Sequence, residues 1–269
     1  MMFSILIAHY NNYEFFRTCY TSILQQSYQN FEVIILDDCS TDGSFDKIKN
    51  ELDGDSRFKL HQNTENRGVG FTKKRCVELA TGEICGFVDP DDALVADAVE
   101  ICIGKYSNPE IVGTYSQINI CDESLNTQKI FENTKKIASG NPLFFNVRFE
   151  ISHFFTFRKK AYSQIRGINP ELNVAEDMDL YLQFYDFGKI EYIPLPLYYY
   201  RVHKKGLSHD PEKENIKAQN WHQVILETLE RRNIIQLYGK KISEIANLPA
   251  FISSKQNNLI SKITRKFFG

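Results

Sequence analysis

Acidic side chains concentrate in three short segments of the sequence. The segments are Asp37-Asp38-Cys39-Ser40-Thr41-Asp42-Gly43, Asp89-Pro90-Asp91-Asp92 and Ala175-Glu176-Asp177-Met178-Asp179-Leu180. In the second segment, adjacent carboxylates repel one another unless a cation neutralises them. Mg2+ and Mn2+ prefer such oxygen ligands, and they commonly bind one or two protein carboxylates together with water and substrate phosphate. The second segment therefore predicts a divalent metal site that faces a phosphorylated ligand.

The other polar segments also have structural explanations. Asp and Ser after a strand form Asx turns and helix caps, which suffices for the first acidic segment. Glu176 and Asp177 at the start of a helix are favoured by the helix dipole. A basic turn follows an aromatic run at Tyr200-Arg201-Val202-His203-Lys204-Lys205-Gly206-Leu207-Ser208, and a lone histidine such as His203 is more often structural than a ligand. The residues alone leave these alternatives open.

Apolar runs alternate with helical patterns through the first 106 residues. Strands are predicted at 3–8, 31–36, 57–62 and 84–88, and helices near 15–24, 44–52, 70–80 and 94–106. This alternation predicts an α/β fold with a mainly parallel sheet that helices cover on both faces. Ligands of such sheets bind beyond the carboxyl ends of the strands, where the first two acidic segments fall.

The pattern is less regular in the rest of the chain. Strands are predicted at 111–117, 153–158, 190–193 and 198–202, a helix at 178–187, and a mobile loop or irregular hairpin at 119–140. From Pro211 onward the sequence predicts helices only.

Composition narrows the function classes. The formal charge of -2 argues against a surface that follows nucleic acid, which requires an excess of Lys and Arg. None of the six cysteines falls in the close pairs that zinc sites use. Because no basic-then-apolar leader precedes Phe3 and no apolar run reaches about 18 residues, we expect a cytoplasmic protein.

Five segments occur in a fixed order and spacing along the chain. They are Ser4-Ile5-Leu6-Ile7-Ala8-His9-Tyr10-Asn11, Leu36-Asp37-Asp38-Cys39-Ser40-Thr41-Asp42-Gly43-Ser44, Asn66-Arg67-Gly68, Ala80-Thr81-Gly82-Glu83 and Asp89-Pro90-Asp91-Asp92. Together they resemble the family 2 glycosyltransferases of the GT-A fold, a Rossmann-like architecture, over roughly residues 1–210. The resemblance implies transfer of a sugar from a nucleotide diphosphate donor, with a UDP-sugar expected, and Mn2+ or Mg2+ as cofactor.

The resemblance also implies roles for single residues. Ala8, His9 and Tyr10 are expected to flank the nucleobase, and Asp38 to hold it. Asp91 is expected on the ribose and Asp92 on the metal, with Asp89 and Asp91 supporting. Lys73 stands where the family usually has Arg, which keeps a cation near the diphosphate but loses bidentate geometry. His203 and Lys205 are expected to cover the diphosphate or complete the metal shell.

The third acidic segment matches the family's catalytic helix start. By this resemblance Asp177 is the general base that deprotonates the acceptor hydroxyl, and Glu176 and Asp179 bind the acceptor or orient the base. The reaction is expected to invert the anomeric carbon. Alternatives are a noncatalytic nucleotide-sugar-binding partner subunit or a nucleotidyltransferase, although the latter usually carries a Gly-rich, basic loop that His9-Tyr10-Asn11-Asn12 does not provide.

Two domains are expected: a GT-A glycosyltransferase domain over residues 1–210 and a C-terminal helical extension over 211–269. The tail from 255 to 269 carries Lys255, Lys262, Arg265 and Lys266 and no acid, beside several apolar side chains. It is predicted either to lie on the anionic inner face of the plasma membrane or to pack on its own domain or on a second copy in a homodimer. A glycan or lipid-linked acceptor in bacterial polysaccharide assembly is expected from the resemblance, and no nucleic acid partner.

Overall fold

The computed structural model describes residues 1–52, 54–204, 206 and 214–257. The first half of the chain forms alternating strands and helices, as predicted. They are β1 (Phe3–His9), α1 (Tyr13–Leu24), β2 (Phe31–Asp37), α2 (Ser44–Glu51), β3 (Phe58–Gln62), α3 (Val69–Leu79), β4 (Ile84–Phe87), β5 (Ala93–Leu94) and α4 (Ala98–Lys105).

The second half adds longer strands and the helices that close the fold. They are β6 (Ile111–Cys121), β7 (Thr127–Ile130), β8 (Thr156–Arg158), α5 (Lys159–Tyr162), α6 (Glu176–Phe187), β9 (Lys189–Arg201), α7 (Glu214–Arg231), β10 (Gln236–Leu237), β11 (Lys240–Lys241), a 3-10 helix (Ile242–Glu244) and α8 (Leu248–Asn257).

One mixed sheet organises the described chain, with the strand order β3-β2-β1-β4-β8-β6-β9-β5 and β7 beside β6. The strands β3, β2, β1 and β4 are mutually parallel, so their carboxyl ends meet at one edge. The strand β8 runs antiparallel to both β4 and β6, and β9 runs parallel to β6. The antiparallel pairing of β5 with β9 places Ala93 opposite Tyr199 and so brings the end of β9 beside the segment after β4.

Helices cover both faces of this sheet. Along β1, Ile5 and Ile7 pack into one apolar cluster with Phe16 of α1, whereas Leu6 packs into the opposite cluster with residues of α3 and α6. The alternation follows from the two-residue period of a strand. The predicted parallel core and its two covered faces are therefore confirmed.

The prediction of two separate strands at 190–193 and 198–202 is wrong. The structure has one continuous strand, and its register against β6 shifts on either side of Gln117, which pairs with Pro196. A bulge accommodates residues that donate no ladder hydrogen bond, so Pro194 and Pro196 do not end the strand.

Two further predictions need correction, and the structure decides a third between its alternatives. The helix predicted over 94–106 begins only at Ala98, because Ala93 and Leu94 pair with β9. The region 119–140 contains the hairpin of β6 and β7, which is the second of the two predicted alternatives. The C-terminal part is not purely helical, since β10 and β11 form a hairpin around Tyr238 and Gly239, which have φ of 48° and 81°.

The C-terminal elements pack through an apolar cluster of their own. Leu229 of α7, Leu237 of β10 and Leu248 of α8 are fully buried there, and Phe145 from the preceding part of the chain joins them. The division at residue 210 stays a prediction. Among the described residues, no helix combines the length and apolarity needed to cross a bilayer.

Candidate active site

Uncommon backbone conformations occur in two loops that follow parallel strands and at the residue before α6. Asn11 after β1, Cys39 after β2 and Ala175 before α6 have φ of 48°, 60° and 68°. Non-glycine residues seldom adopt positive φ, and such strain concentrates at functional sites. Asn11 joins the first two loops, because its side chain accepts a hydrogen bond from the backbone N–H of Thr41 at 2.8 Å.

The end of β2 is fixed by a buried network around Asp37. Its carboxylate contacts His9 Nδ1 at 3.0 Å and accepts hydrogen bonds from Ser40 and Gln62. Burial raises the pKa of Asp37, but these hydrogen bonds outweigh it and lower the pKa to about 2. His9 is itself buried, and its Nε2 has no hydrogen-bond partner in the described chain. His9 therefore helps to hold the loop after β2 in place through its contact with Asp37.

Asp38 holds the Asn66-Arg67-Gly68 segment in place. Its carboxylate accepts hydrogen bonds from Asn63 Nδ2 at 2.7 Å and from the backbone N–H groups of Arg67 and Gly68 at 2.9 and 2.8 Å. Gly68 has φ of 82°, and a Cβ there would lie 1.9 Å from Asn173 Oδ1, which explains the glycine. Asp38 is almost completely buried, so its expected contact with a nucleobase depends on the single lone pair left on Oδ2.

Beside these buried groups, Tyr10 presents an accessible ring. Its side chain is 45% exposed at the carboxyl end of β1, next to the half-buried Ala8. An exposed aromatic ring beside a hydrogen-bonding carboxylate is suited to stacking on a nucleobase.

The second acidic segment places its three carboxylates in different environments. Asp91 Oδ2 lies 2.8 Å from His203 Nε2, and the Asp91 side chain is 23% exposed. Asp92 is 2% exposed, and its Oδ1 accepts a hydrogen bond from the backbone N–H of Arg201 at 2.7 Å. Burial, then the charges of Asp91 and Asp89, raise the pKa of Asp92 well above its usual range.

The expectation that Asp92 is the principal metal ligand stays a prediction, because burial and one backbone hydrogen bond leave its second carboxylate oxygen unassigned. Its Oδ1 ties the turn after β4 to β9, and the side chain is buried. Asp91 is the more exposed of the two carboxylates, and its Oδ2 lies beside Nε2 of the buried His203. In the described ranges no three His, Cys, Asp or Glu side chains form a ready-made metal cluster.

Two residues at the end of β9 belong to this corner but received no role from the sequence. The Arg201 side chain donates from Nε to the carbonyl oxygen of Asp91 at 2.6 Å and lies 4.6 Å from the centre of the Phe15 ring. The Tyr198 hydroxyl accepts the backbone N–H of Asp89 at 3.1 Å. The sequence does show a run of aromatic residues that ends in Arg201. No local pattern, however, indicates that this run pairs with β5.

Lys73 joins the second and third acidic segments. Its Nζ lies 2.7 Å from Glu176 Oε1 and 3.5 Å from Asp89 Oδ1, and the side chain is buried. Burial lowers the pKa of Lys73, but the charges of Asp89, Glu176 and Asp177 outweigh it and hold the pKa well above its usual range. Lys73 is thus a permanent cation. Glu176 is buried and paired with it, so its Oε1 is already engaged by the lysine.

Asp177 opens onto a narrow pocket at the start of α6. Its Oδ1 accepts the backbone N–H of Met178 at 2.7 Å, and the side chain is half-buried. Lys73, His153 and Tyr181 line the same pocket. No hydrogen bond engages the second oxygen of Asp177 within the described residues, which leaves it available to a substrate.

Asp179 lies outside the pocket, which corrects its expected role in acceptor binding. Its carboxylate is fully buried, and it accepts hydrogen bonds from Arg166 at 2.6 Å and Gln183 at 3.0 Å. Arg166 also contacts Glu227 of α7. Asp179 therefore links α6 to Arg166 and, through it, to α7. It differs from Asp177 because positions two residues apart on a helix face different directions.

We expect Asp179→Ala to lower the free energy of unfolding by about 1 to 2 kcal/mol, because it removes the acceptor of Arg166 and Gln183, whereas the half-exposed Arg166 keeps Glu227 and water as partners. Urea denaturation measures this loss, and Asp46→Ala on the exposed surface of α2 is the matched control. Transfer per folded molecule is expected to stay within about twofold. Unchanged stability with weakened acceptor binding would instead restore the acceptor role.

Lys205, the remaining sequence candidate, lies outside the described residues. The other candidates occupy one edge of the sheet, with Asp179 as the exception. The family model for glycosyl transferase family 2 matches residues 4–166, which is more than half of the chain. The chain belongs to this family.

Relatives of this family 2 glycosyltransferase carry related names. It is 27% identical to the glycosyltransferase EpsH of Bacillus subtilis (strain 168), over 97% of this chain and 80% of EpsH. It is 26% identical to the chondroitin synthase of Escherichia coli, over 91% of this chain and 34% of the synthase. The glycosyltransferase thus spans about a third of that synthase's length.

Solved structures share the GT-A fold of this glycosyltransferase. S. aureus TarS 1-349 in complex with UDP-GlcNAc superposes with a TM-score of 0.72 at 17% identity, over 99% of this chain and 74% of that one. The mannosyltransferase PcManGT from Pyrobaculum calidifontis, in complex with GDP-Man and Mn2+, gives 0.59 at 14% identity, over 98% and 83%. At these identities the likeness shows the fold alone.

Proposed function

We propose that this glycosyltransferase moves a sugar from a nucleotide diphosphate donor, a UDP-sugar in the first instance, onto an acceptor hydroxyl with inversion. The observation that carries the proposal is that Asp91 with His203 and the pocket of Asp177 lie at one sheet edge, with Lys73 between them. UDP and UDP-GlcNAc complexes of TarS support the choice of donor.

The nucleoside is assigned to the loops after β1 and β2. Tyr10 is the accessible ring for the base, with Ala8 and the backbone of His9 beside it, and Asp38 keeps one lone pair for a base N–H. The diphosphate is assigned to the edge between Asp91 and His203, where the ribose also passes.

The donor atoms fit Mn2+ or Mg2+. Asp91 supplies a carboxylate oxygen, His203 supplies Nε2, and Asp89 is the supporting carboxylate; both ions accept such a small protein set and complete it with phosphate and water. In its contact with the Asp91 carboxylate, His203 Nε2 carries a proton; because Nδ1 has no partner in the described chain, that proton can lie on Nδ1 instead and leave a lone pair on Nε2 for a metal. When bound, the ion neutralises charge on the diphosphate leaving group.

Asp177 carries the acid–base step of the proposal. Its open carboxylate oxygen takes the proton of the acceptor hydroxyl as that oxygen bonds to the anomeric carbon and the bond to the diphosphate breaks. Lys73 holds Glu176 and Asp89 at the two sides of the pocket, so that base and leaving-group site keep a fixed separation. Attack opposite the leaving group inverts the anomeric carbon.

Two other functions are weighed against this one. A nucleotidyltransferase is disfavoured because the loop after β1 offers Tyr10 and Asn11 rather than glycines and cations. A noncatalytic nucleotide-sugar-binding subunit needs no base, yet Asp177 retains an open oxygen in a pocket. Binding of donor without release of its diphosphate is the result that favours the subunit.

The experiment for the proposed function is a thermal-shift comparison of UDP, GDP, dTDP and CMP, each with its sugar conjugates and with or without Mn2+. A ligand that binds only the folded state raises the melting temperature. We expect one nucleotide class to raise it, more strongly with Mn2+ than without. Failure of every nucleotide to shift the transition contradicts the proposal.

The acceptor and cellular place are proposed from the relatives. Chondroitin synthase and hyaluronan synthase assemble polysaccharides by name, which supports a glycan or lipid-linked acceptor in polysaccharide assembly. A cytoplasmic enzyme at the inner face of the plasma membrane fits such an acceptor.

Peripheral membrane contact is a proposal about the C-terminal part. Ile235 and Tyr238 are 78% and 42% exposed, and Lys240 and Lys255 lie 5.8 and 5.5 Å from the centre of the Phe251 ring. Such an apolar and basic surface suits an anionic bilayer. Of the predicted tail, residues 258–269 lie outside the described chain.

Co-sedimentation with phosphatidylglycerol vesicles tests this contact. We expect the full chain to pellet in a salt-sensitive way, and a chain ending at Asn257 to pellet several-fold less. Equal pelleting of both contradicts a membrane role of residues 258–269 and leaves the surface around Phe251 as the contact, whereas no pelleting of either chain contradicts the membrane proposal. Concentration-dependent sedimentation without vesicles supports the homodimer instead.

A further inference from the structure

His153 is a half-buried histidine that the proposed mechanism does not use. It lies just before β8, whose pairing with β4 brings it to the carboxyl end of β4 beside Asp89. Its ring stacks on Tyr198 and Tyr200, with centroids 5.1 and 6.2 Å away and interplanar angles of 18° and 17°. The imidazole is therefore held in one orientation at the centre of the site.

The ring nitrogens of His153 have no hydrogen-bond partner in the described part of the chain. The imidazole lines the pocket of Asp177, together with Lys73 and the aromatic side chains of Phe155 and Tyr181. A fixed polar group that faces a pocket without a protein partner is positioned to bind a ligand. The pocket itself has room for about one water molecule, so the sugar that passes from leaving group to acceptor would lie at its mouth, where the half-buried His153 and Asp177 are found.

The charges around this pocket restrict that sugar. Lys73 is the one Lys or Arg among the described lining residues, and it is already held by Glu176 and Asp89. The carboxylate of Asp177 adds a third negative charge. A sugar carboxylate placed here would meet like charges and no unpaired cation, whereas hydroxyl groups find carboxylate acceptors and an imidazole.

We propose that His153 binds a hydroxyl or amide group of the transferred sugar, and that the pocket selects an uncharged hexose or N-acetylhexosamine over a uronic acid. This inference rests on the proposed function and names its substrate class. The half-buried Phe87 is the lining ring that offers such a sugar an apolar surface, since Phe155 and Tyr181 are 3% and 4% exposed and pack on each other. The selection comes from pocket charge and from one hydrogen-bonding imidazole.

The experiment compares donors that differ only at C6 of the sugar. Calorimetry measures the Kd of the free nucleoside diphosphate, of its neutral sugar conjugate and of the matched uronic acid conjugate, in the presence of Mn2+. If uridine nucleotides give the larger thermal shift, the compared donors are UDP-glucose and UDP-glucuronate, with UDP-GlcNAc as a second neutral donor. If guanosine nucleotides do, the compared donors are GDP-mannose and GDP-mannuronate. We expect the uronic acid conjugate to bind at least about tenfold more weakly than the neutral one.

His153→Ala is expected to weaken the neutral conjugate by about threefold to tenfold, the loss of one hydrogen bond, while the Kd of the free diphosphate stays unchanged. His153→Gln, which keeps a donor and an acceptor, is expected to recover part of the loss. The control is His61→Ala, at a half-buried histidine on the edge strand β3.

Tighter binding of the uronic acid conjugate, or equal affinity of the wild type and His153→Ala for the neutral conjugate, overturns the inference. A parallel loss of free diphosphate binding in His153→Ala also overturns it, because the residue then acts on the nucleotide site or the fold. Absence of diphosphate binding in the wild type sinks the proposed function itself, and is read separately from the comparison of sugars.

Discussion

Replacing Asp177 by asparagine is expected to reduce sugar transfer by about 10³-fold, because the variant has no carboxylate to take the acceptor proton. Asparagine keeps the size of the side chain and can still accept the backbone N–H of Met178, so the start of α6 is preserved. Donor binding is therefore expected to remain within about twofold of the wild type. Steady-state transfer assays and donor calorimetry on the same preparation separate the two effects.

Asp46→Asn, at an exposed position on α2, is the control for an aspartate-to-asparagine change. The pH profile provides a second check, since loss of a general base removes the acidic limb of kcat/KM. Full activity of Asp177→Asn would falsify its assignment as the base. A proportional loss of donor affinity and transfer would instead place Asp177 in the donor site.

The second large effect is expected at Asp91. Asp91→Asn should abolish the strengthening of nucleotide binding by Mn2+ and lower transfer by at least about 10²-fold, because leaving-group stabilisation by a metal contributes several kcal/mol. Calorimetric titration of the nucleoside diphosphate with and without Mn2+ measures the first effect directly. His203→Ala is expected to weaken the same metal response more mildly, since one carboxylate ligand remains.

Asp92→Asn is the comparison that distinguishes the neighbouring carboxylates. An amide oxygen can still accept the backbone N–H of Arg201, so the corner between β4 and β9 is retained. We expect this variant to keep its response to Mn2+. The reverse pattern, with the response lost in Asp92→Asn and kept in Asp91→Asn, would return the metal to Asp92.

Much of the fold could be predicted from local sequence patterns. The apolar runs at β1, β2 and β4 are short and bounded by polar turns, so their periodicity and ends were readable from the sequence. The short strand β5 was not readable, because two residues become a strand only when β9 reaches them from more than 100 positions away. The continuity of β9 through Pro194 and Pro196 likewise depends on its partner strand.

The sequence indicated which residues gather at the candidate site, but not the contacts that each of them makes there. Acidic segments after strands predicted that these carboxylates gather at one edge of the sheet, whereas the sequence gives no sign that Asp92 bonds the backbone of Arg201 and Asp91 contacts His203. Likewise, Asp177 and Asp179 are indistinguishable by composition, and only the three-dimensional position of Arg166 makes one of them a buried ion-pair partner. Burial and long-range pairing, which decide these roles, are properties of the tertiary structure.

The most direct measurement is the release of nucleoside diphosphate by the purified full chain from a panel of nucleotide sugars, with an acceptor extract and with or without Mn2+. The account predicts release from one donor class that depends on Mn2+, persists in Asp46→Asn and falls to background in Asp91→Asn and Asp177→Asn. Binding of a nucleotide sugar by the folded chain, with no release from any donor under these conditions, would contradict it and identify a binding subunit.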